Sequence, residues 1–414
     1  MDKNALSAVI KKIDGYRQDV IEIQTEMCKR PALDPTSGGV GEIDKAEYLT
    51  SYLKKLGMTV RQIDAPDKRV PSGIRPNLLV ELPGRTAAPR VMIIAHTDVV
   101  PPGDMSLWKS DPWKLKVDGD KIIGRGVEDN QAGLTSAVMT LKAFVEAGVQ
   151  PEQTISVVLV ADEETASTWG LSYLLKQHRD VFRKDDLIIV PDSGNPLGTE
   201  IEVAEKSILW VKVRTIGKQT HGSTPETGIN AHRAASYFTV RMQTLYTKFR
   251  KRDPLFAPPI STFEPTKREA NVPNINTIPG DDVLYFDCRI LPTYKVDDVL
   301  KEIKRLGRET EKKYKVKMEF SIVQKEVAAP PTPADAPVAV AIARAMKELR
   351  RRKPKTIGIG GGTVAKYLRE AGFPCVVWST LEEQAHRPNE YARIPHILDD
   401  AKVFAHVALQ NRGE

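Results

Sequence analysis

Three short aliphatic runs, residues 91–95, 155–161 and 187–190, are rich in β-branched side chains, and each is bounded by polar or turn residues. Such a run offers water no polar face, so it suits a strand covered on both sides, the condition of a parallel sheet sandwiched by helices. Between the first two, Leu134, Ala137, Val138, Leu141, Phe144 and Val145 recur at steps of three and four. That spacing predicts an amphipathic helix over Gln131–Ala147. Alternating strands and helices predict an α/β fold, a mainly parallel sheet with helices on both faces, with its site at the carboxyl ends of the strands.

From about Lys206 the texture changes. Residues 208–213 read as a strand, 230–249 as helix, 283–290 as a strand, 296–314 as helix and 317–323 as a strand. This is a compact α+β unit of domain size. The stretch Ala328-Ala329-Pro330-Pro331-Thr332-Pro333 reads as a linker, after which helical 337–349 and strand-like 375–378 resume the first pattern. The simplest organisation is one discontinuous α/β domain, residues 1–204 and 327–414, interrupted by a smaller α+β domain, residues 205–326.

In 414 residues, 41% are apolar and 28% charged, which excludes disordered and collagen-like chains. No apolar run approaches the roughly 20 residues of a membrane span. The N-terminus mixes charge with apolar residues at helical spacing and lacks a signal-peptide core, so the expected location is the cytoplasm. Cys28, Cys288 and Cys375 are scattered, which argues against a disulfide framework and against a cysteine zinc site. The net charge of +7 raises nucleic acid as a partner. The dense run Arg350-Arg351-Arg352-Lys353-Pro354-Lys355, however, follows an amphipathic helix, where the macrodipole favours cations, and no aromatic-interleaved basic motif accompanies it. Neither a nucleic-acid nor a membrane partner is expected.

The chemistry gathers where the strands end. After residues 91–95 comes His96-Thr97-Asp98, whose first and third side chains point the same way in extended chain, so the carboxylate can receive the imidazole N–H turned away from a metal. Taken alone, the same pattern suits any satisfied histidine at a strand end. Gly124-Arg125-Gly126-Val127-Glu128-Asp129-Asn130 precedes the predicted helix; Asp129 or Asn130 can serve as its N-cap, or Asp129 can bridge two cations. After residues 155–161 comes Asp162-Glu163-Glu164. Consecutive carboxylates there repel one another unless cations are near, and of Glu163 and Glu164, facing opposite ways, one can bind a metal while the other reaches a bound water. Asp192 follows the third run, and His386 lies in the loop after residues 375–378. Nitrogen and oxygen donors without a thiolate, plus a spare carboxylate, suit a two-metal hydrolytic centre of zinc, with cobalt or manganese as alternatives.

The anchors A-H-T-D-V-V-P, G-R-G-V-E-D-N, A-D-E-E, P-D-S, H-G-S-T-P-E-T-G-I-N-A and H-R-P-N-E-Y, in this order over nearly the whole chain, resemble the M20 metallopeptidase and deacylase family. The family includes acetylornithine deacetylase, succinyl-diaminopimelate desuccinylase, aminoacylase-1 and glutamate carboxypeptidase. The resemblance implies that Asp129 bridges two metal ions, with His96 and Asp192 completing one site and Glu164 and His386 the other. It implies Glu163 as general base and Asp98 as the partner behind His96. It implies that the inserted domain is a lid and dimerisation domain of a homodimer, in which His221 reaches across the interface to stabilise the tetrahedral oxyanion. Asn276 and Arg289, with Gly362 and Thr363 of a glycine-rich turn, are implied contacts for a substrate carboxylate. That turn lacks the lysine and spacing of a phosphate-binding loop.

Two departures stand out. Asp129-Asn130-Gln131-Ala132-Gly133 lacks the lysine many members carry there, and Asp192 stands where desuccinylases commonly have glutamate. The expected activity is hydrolysis of an N-acyl amino acid, an acetyl or succinyl derivative. Dipeptidase or carboxypeptidase action on a short peptide is the alternative, and a non-catalytic binding module the remote one.

Overall fold

A computed structural model describes residues 1–411. They form two compact units. The first comprises Met1–Val203, Pro331–Ile357 and the chain from Thr363 onward; the second comprises Ala204–Pro330 and Gly358–Gly362.

The first unit is built on an eight-stranded sheet, in spatial order Val60–Pro66, Ile74–Leu82, Gln153–Val160, Thr86–His96, Leu187–Gly194, Cys375–Ser379, Glu200–Glu205 and Lys355–Ile359. Its centre, from Gln153–Val160 to Cys375–Ser379, is parallel. The Val60–Pro66/Ile74–Leu82 pair and Glu200–Glu205 run antiparallel at the flanks. Met92, Ile94, Val158, Val160, Ile188 and Val190 project to one face, against Leu171 and Leu174 of helix Leu171–Gln177 and Ala365 and Leu368 of helix Ala365–Glu370. Val91, Ile93 and Val157, one residue out of phase, are equally buried. Helix Gln131–Ala147 contacts the Thr86–His96, Gln153–Val160 and Leu187–Gly194 strands, and helices Lys3–Asp14 and Ile394–Ala408 pack on it. Both faces are therefore apolar, and each such side chain contributes roughly 1.5–3 kcal/mol by leaving water. Among the described residues no helix is long and apolar enough to cross a membrane.

The Gln131–Ala147 helix spans the residues its periodicity predicts. Gly133 explains how closely it approaches the sheet, because a Cβ there would meet the Pro191 carbonyl oxygen at 2.5 Å. The close approach brings the helix start, with Asp129 before it, beside Asp192.

In the second unit the strands Thr262–Arg268, Asp281–Ile290, Ser207–Ile216 and Lys317–Glu326 form an antiparallel sheet in that spatial order. Phe238 of helix Ala231–Met242 and Ile303 of helix Val296–Tyr314 share a core with Val211, Phe263 and Phe286. The edge strand Thr262–Arg268 is an addition to the sequence reading. Five of its seven residues are exposed, so no buried run marks it. The helix expected over 230–249 is two helices, Ala231–Met242 and Thr244–Lys248.

Candidate metal centre

His96 ends its strand and is buried. Its Nδ1 lies 3.0 Å from the Asp98 carbonyl oxygen and 3.4 Å from the Asp98 carboxylate. The ring thus meets Asp98 at two oxygens, and the nearer is the main-chain one, not the carboxylate the spacing suggested. The reason is that the carboxylate is occupied elsewhere, accepting the backbone N–H groups of Glu163 and Glu164, each at 3.0 Å. With Nδ1 so engaged, Nε2 faces the centre, 3.0 Å from Oδ1 of Asp129 and 3.6 Å from Oδ1 of Asp192.

Asp129 turns its other oxygen to a second histidine. Nε2 of His386 lies 3.2 Å from Oδ2 of Asp129 and 3.1 Å from Oε2 of Glu164. Two groups, His96/Asp129/Glu164 and His96/Glu163/Asp192, place ligand atoms within 4.8 Å of one another. Donors about 2.0–2.2 Å from one tetrahedral zinc ion stand roughly 3.3–3.6 Å apart, so these spacings need only small adjustments to accept a cation. Oε1 of Glu164 is buried without a hydrogen-bond partner, an uncompensated oxygen that a cation would satisfy. The residues present therefore suit divalent metal.

The electrostatics point the same way. Burial pushes the Glu163 carboxyl well above the ordinary carboxylate range, and the charge of Asp192 adds to it. Burial, then the charge of Asp129, pushes Glu164 up to about 7. Asp129 is held well below its usual value; burial opposes its charge, but the hydrogen bonds from His386 and His96 outweigh burial. Hydrogen bonds to Asp129 first and to Glu164 second raise His386 to about 10. His96 is raised too, its bonds to Asp129 and Asp192 overcoming burial. In effect, protons on the rings stand in for cations among crowded carboxylates.

Several side chains position the centre in ways the sequence did not reveal. Asn130 takes the N-cap position of the Gln131–Ala147 helix without capping it. Its amide instead donates to the Pro191 carbonyl oxygen at 2.6 Å and to Oδ1 of Asp192 at 2.8 Å, which aims Asp192. Buried Lys45 donates to the Thr97 carbonyl oxygen at 2.8 Å and so fixes the peptide between His96 and Asp98; burial pushes its pKa down to about 8. Glu128 holds the His386 loop and Glu390 the Asp129 loop. Their signal was adjacency, since each lies inside a motif already singled out. The three cysteines are buried thiols, and none joins either donor group.

The remaining expected site residues are distributed between the units. Thr363 belongs to the first, where its hydroxyl accepts the Ala365 N–H at 3.2 Å. His221, Asn276, Arg289 and Gly362 belong to the second. There, exposed His221 pairs with Thr277 across a two-stranded ribbon, and the Gly222 N–H donates to the Asn276 carbonyl oxygen at 2.6 Å. Nδ1 of His221 lies 2.8 Å from the Ser223 hydroxyl and 3.2 Å from the Ser223 backbone nitrogen, so it is this ring nitrogen that the turn engages. Arg289 grips Asp287 through Nε and Nη2 at 2.7 and 2.9 Å and the Gly360 carbonyl oxygen at 2.9 Å.

Residues 92–410 match the family model described as peptidase family M20/M25/M40. The chain belongs to this family. An uncharacterized metallohydrolase of Methanocaldococcus jannaschii is 40% identical over 407 residues, covering 94% of this chain and 98% of that one. Succinyl-diaminopimelate desuccinylase of Pelagibacter ubique is 24% identical over 391 residues, 94% of this chain and 97% of the relative. Among solved structures, human carnosine dipeptidase 1 superposes with a TM-score of 0.73 at 19% identity, covering 98% of each chain. A dinuclear metal-binding M20 peptidase of Bacillus subtilis does so with a TM-score of 0.64 at 16% identity, covering 96% of this chain and 98% of that one. These last two are likenesses of fold. The M20 chain described here is a metallohydrolase of the peptidase and amidohydrolase type, with a histidine and carboxylate cluster that can hold metal.

Proposed function

We propose that this M20 metallohydrolase cleaves the amide bond of an N-acyl amino acid of acetyl or succinyl type. One observation carries the two-cation hydrolytic part of the reading, that Asp129 presents Oδ1 to His96 and Oδ2 to His386; the acyl amino acid rests on the likeness to succinyl-diaminopimelate desuccinylase. On this reading His96, Asp129 and Asp192 hold one divalent cation, and Asp129, Glu164 and His386 hold another. The donor set favours zinc, and cobalt or manganese suit the same atoms. When bound, the pair supplies an acidified water and a Lewis acid for the scissile carbonyl.

The rest is the work of side chains. Glu163 takes the proton of the attacking water on its carboxylate and delivers it to the leaving nitrogen. Its raised proton affinity suits both halves of that task. Asp98 orients the ring of His96 and the peptides of Glu163 and Glu164. His221 donates from Nε2 to the oxyanion. Arg289 has N–H donors beyond those given to Asp287 and Gly360, and with Asn276, Gly362 and Thr363 it receives the substrate carboxylate. The inserted unit acts as the lid and as the contact of a homodimer, a state that sedimentation of the purified protein reads directly.

The test is a panel of N-acetyl and N-succinyl amino acids and dipeptides, assayed with zinc-, cobalt- and manganese-loaded protein. Turnover of the acyl amino acids is expected. Activity confined to dipeptides would replace the deacylase reading with a dipeptidase one.

A further inference from the structure

Two buried glutamates cross in opposite directions between the loop carrying Asp129 and the loop carrying His386. Glu390, on the His386 side, is fully buried. Its Oε1 accepts the backbone N–H groups of Glu128 at 2.9 Å and Asp129 at 3.1 Å. Its Oε2 accepts the Gly126 N–H at 2.9 Å and Nη1 of Arg125 at 2.7 Å. Glu128, on the Asp129 side, reaches back, its Oε1 accepting the Glu382 N–H at 2.5 Å and its Oε2 the Gln384 N–H.

Each carboxylate is spent on the other loop, Glu128 on backbone N–H groups and Glu390 on backbone N–H groups and Arg125. A buried carboxylate that merely filled space would be replaceable by an apolar side chain at lower desolvation cost, so its retention calls for a positional role. The His386 loop needs such a hold. His386 is exposed, unlike His96 at its strand end, and Glu383, His386 and Asn389 all adopt left-handed backbone at φ of 58°, 63° and 58°. Non-glycine residues stay in that region only where their surroundings over-determine it.

We propose that Glu128 and Glu390 form a reciprocal clasp that sets Asp129 and His386 against each other and thereby assembles the second cation site. The inference rests on the two-cation reading above. Both glutamates are positioning residues, acting through the peptide groups that carry the ligands. Glu128 governs the His386 loop, hence one site. Glu390 governs the Asp129 loop, hence both, because Asp129 is shared.

Titration of metal-free protein with Zn²⁺ by calorimetry tests the clasp. The unsubstituted chain binds two ions. Glu128→Gln, which leaves one acceptor where two are needed, binds the first ion normally and the second about 10–100-fold more weakly, the range for groups that orient ligands. Its kcat recovers as Zn²⁺ is raised, while KM stays constant. Glu390→Gln weakens both ions. A Glu128→Gln protein whose metal-free Tm falls while its second Zn²⁺ affinity is unchanged overturns the proposal, because the residue is then only structural. Fewer than two ions in the unsubstituted chain would instead overturn the two-cation reading. Hydrogen exchange on the unsubstituted chain supplies a measurement that does not depend on a variant folding. The second equivalent of Zn²⁺ protects the Glu382 and Gln384 amides, since linkage is reciprocal; unaltered exchange at both overturns the clasp.

Discussion

The carboxylate of Asp98 receives the backbone N–H of Glu163 at 3.0 Å. Its second oxygen takes the N–H of Glu164 at the same distance. One buried aspartate thus fixes two successive peptide planes at the end of the Gln153–Val160 strand. Glu164 is directed to His386, and Glu163 is grouped with His96 and Asp192. Two adjacent residues of one chemical type thereby acquire separate environments, and separate environments are what divide a ligand from a base.

Replacing Glu163 by alanine is expected to abolish turnover while leaving two metals per chain. Elemental analysis beside a turnover assay checks both halves. Loss of a metal would place Glu163 among the ligands, a role its proximity to His96 and Asp192 makes the sharpest competitor.

His386→Ala is expected to halve the metal content. Its Nε2 contacts Asp129 and Glu164 but belongs to neither of the tight groups around His96, so the His96 site keeps its donors. Metal stoichiometry after dialysis reads this directly, and two retained metals would remove His386 from the donor set.

The strand-end placement of His96, Glu163, Glu164 and Asp192 was legible because hydrophobic burial acts locally. An aliphatic run bounded by turn residues marks both a buried strand and its exit. Ile74–Leu82 escaped notice because Arg75 and Asn77, both buried, interrupt its apolar pattern. They are tolerated through partners that lie mostly far along the chain, Arg75 through Glu42 and Asp34 and Asn77 through the Trp169 carbonyl oxygen. Lys355–Ile359 was hidden by its polar start and the glycines that follow. The Glu128–Glu390 clasp was illegible for the same reason: a carboxylate's partner is set by the fold, and a glutamate reads as a solvated residue until that partner is found. Which of Glu163 and Glu164 is the ligand also lay beyond alternation, which says only that they diverge.

His221→Ala is expected to leave metal content unchanged and to slow kcat by roughly 10²–10³, as loss of an oxyanion donor does. His221→Asn, which keeps an N–H donor, should recover part of the rate. Wild-type kcat in the alanine variant would return His221 to the exposed surface on which it sits.

Metal uptake should release protons and tighten as pH rises. In the metal-free protein His386 titrates at about 10 and His96 is raised well above its ordinary value, so at pH 7 both rings hold the proton that a cation must displace. Glu164, at about 7, adds a partial proton. A group whose proton is lost on binding opposes binding below its metal-free pKa, so affinity climbs with pH until the histidines are neutral, near pH 10 for His386. Each displaced proton contributes about tenfold in affinity per pH unit. Calorimetric titration with Zn²⁺ at pH 6, 7 and 8, in buffers of different ionisation enthalpy, counts the protons. Release of more than one per chain at pH 7 is expected, and a pH-independent affinity with no proton release would exclude the two histidines as ligands.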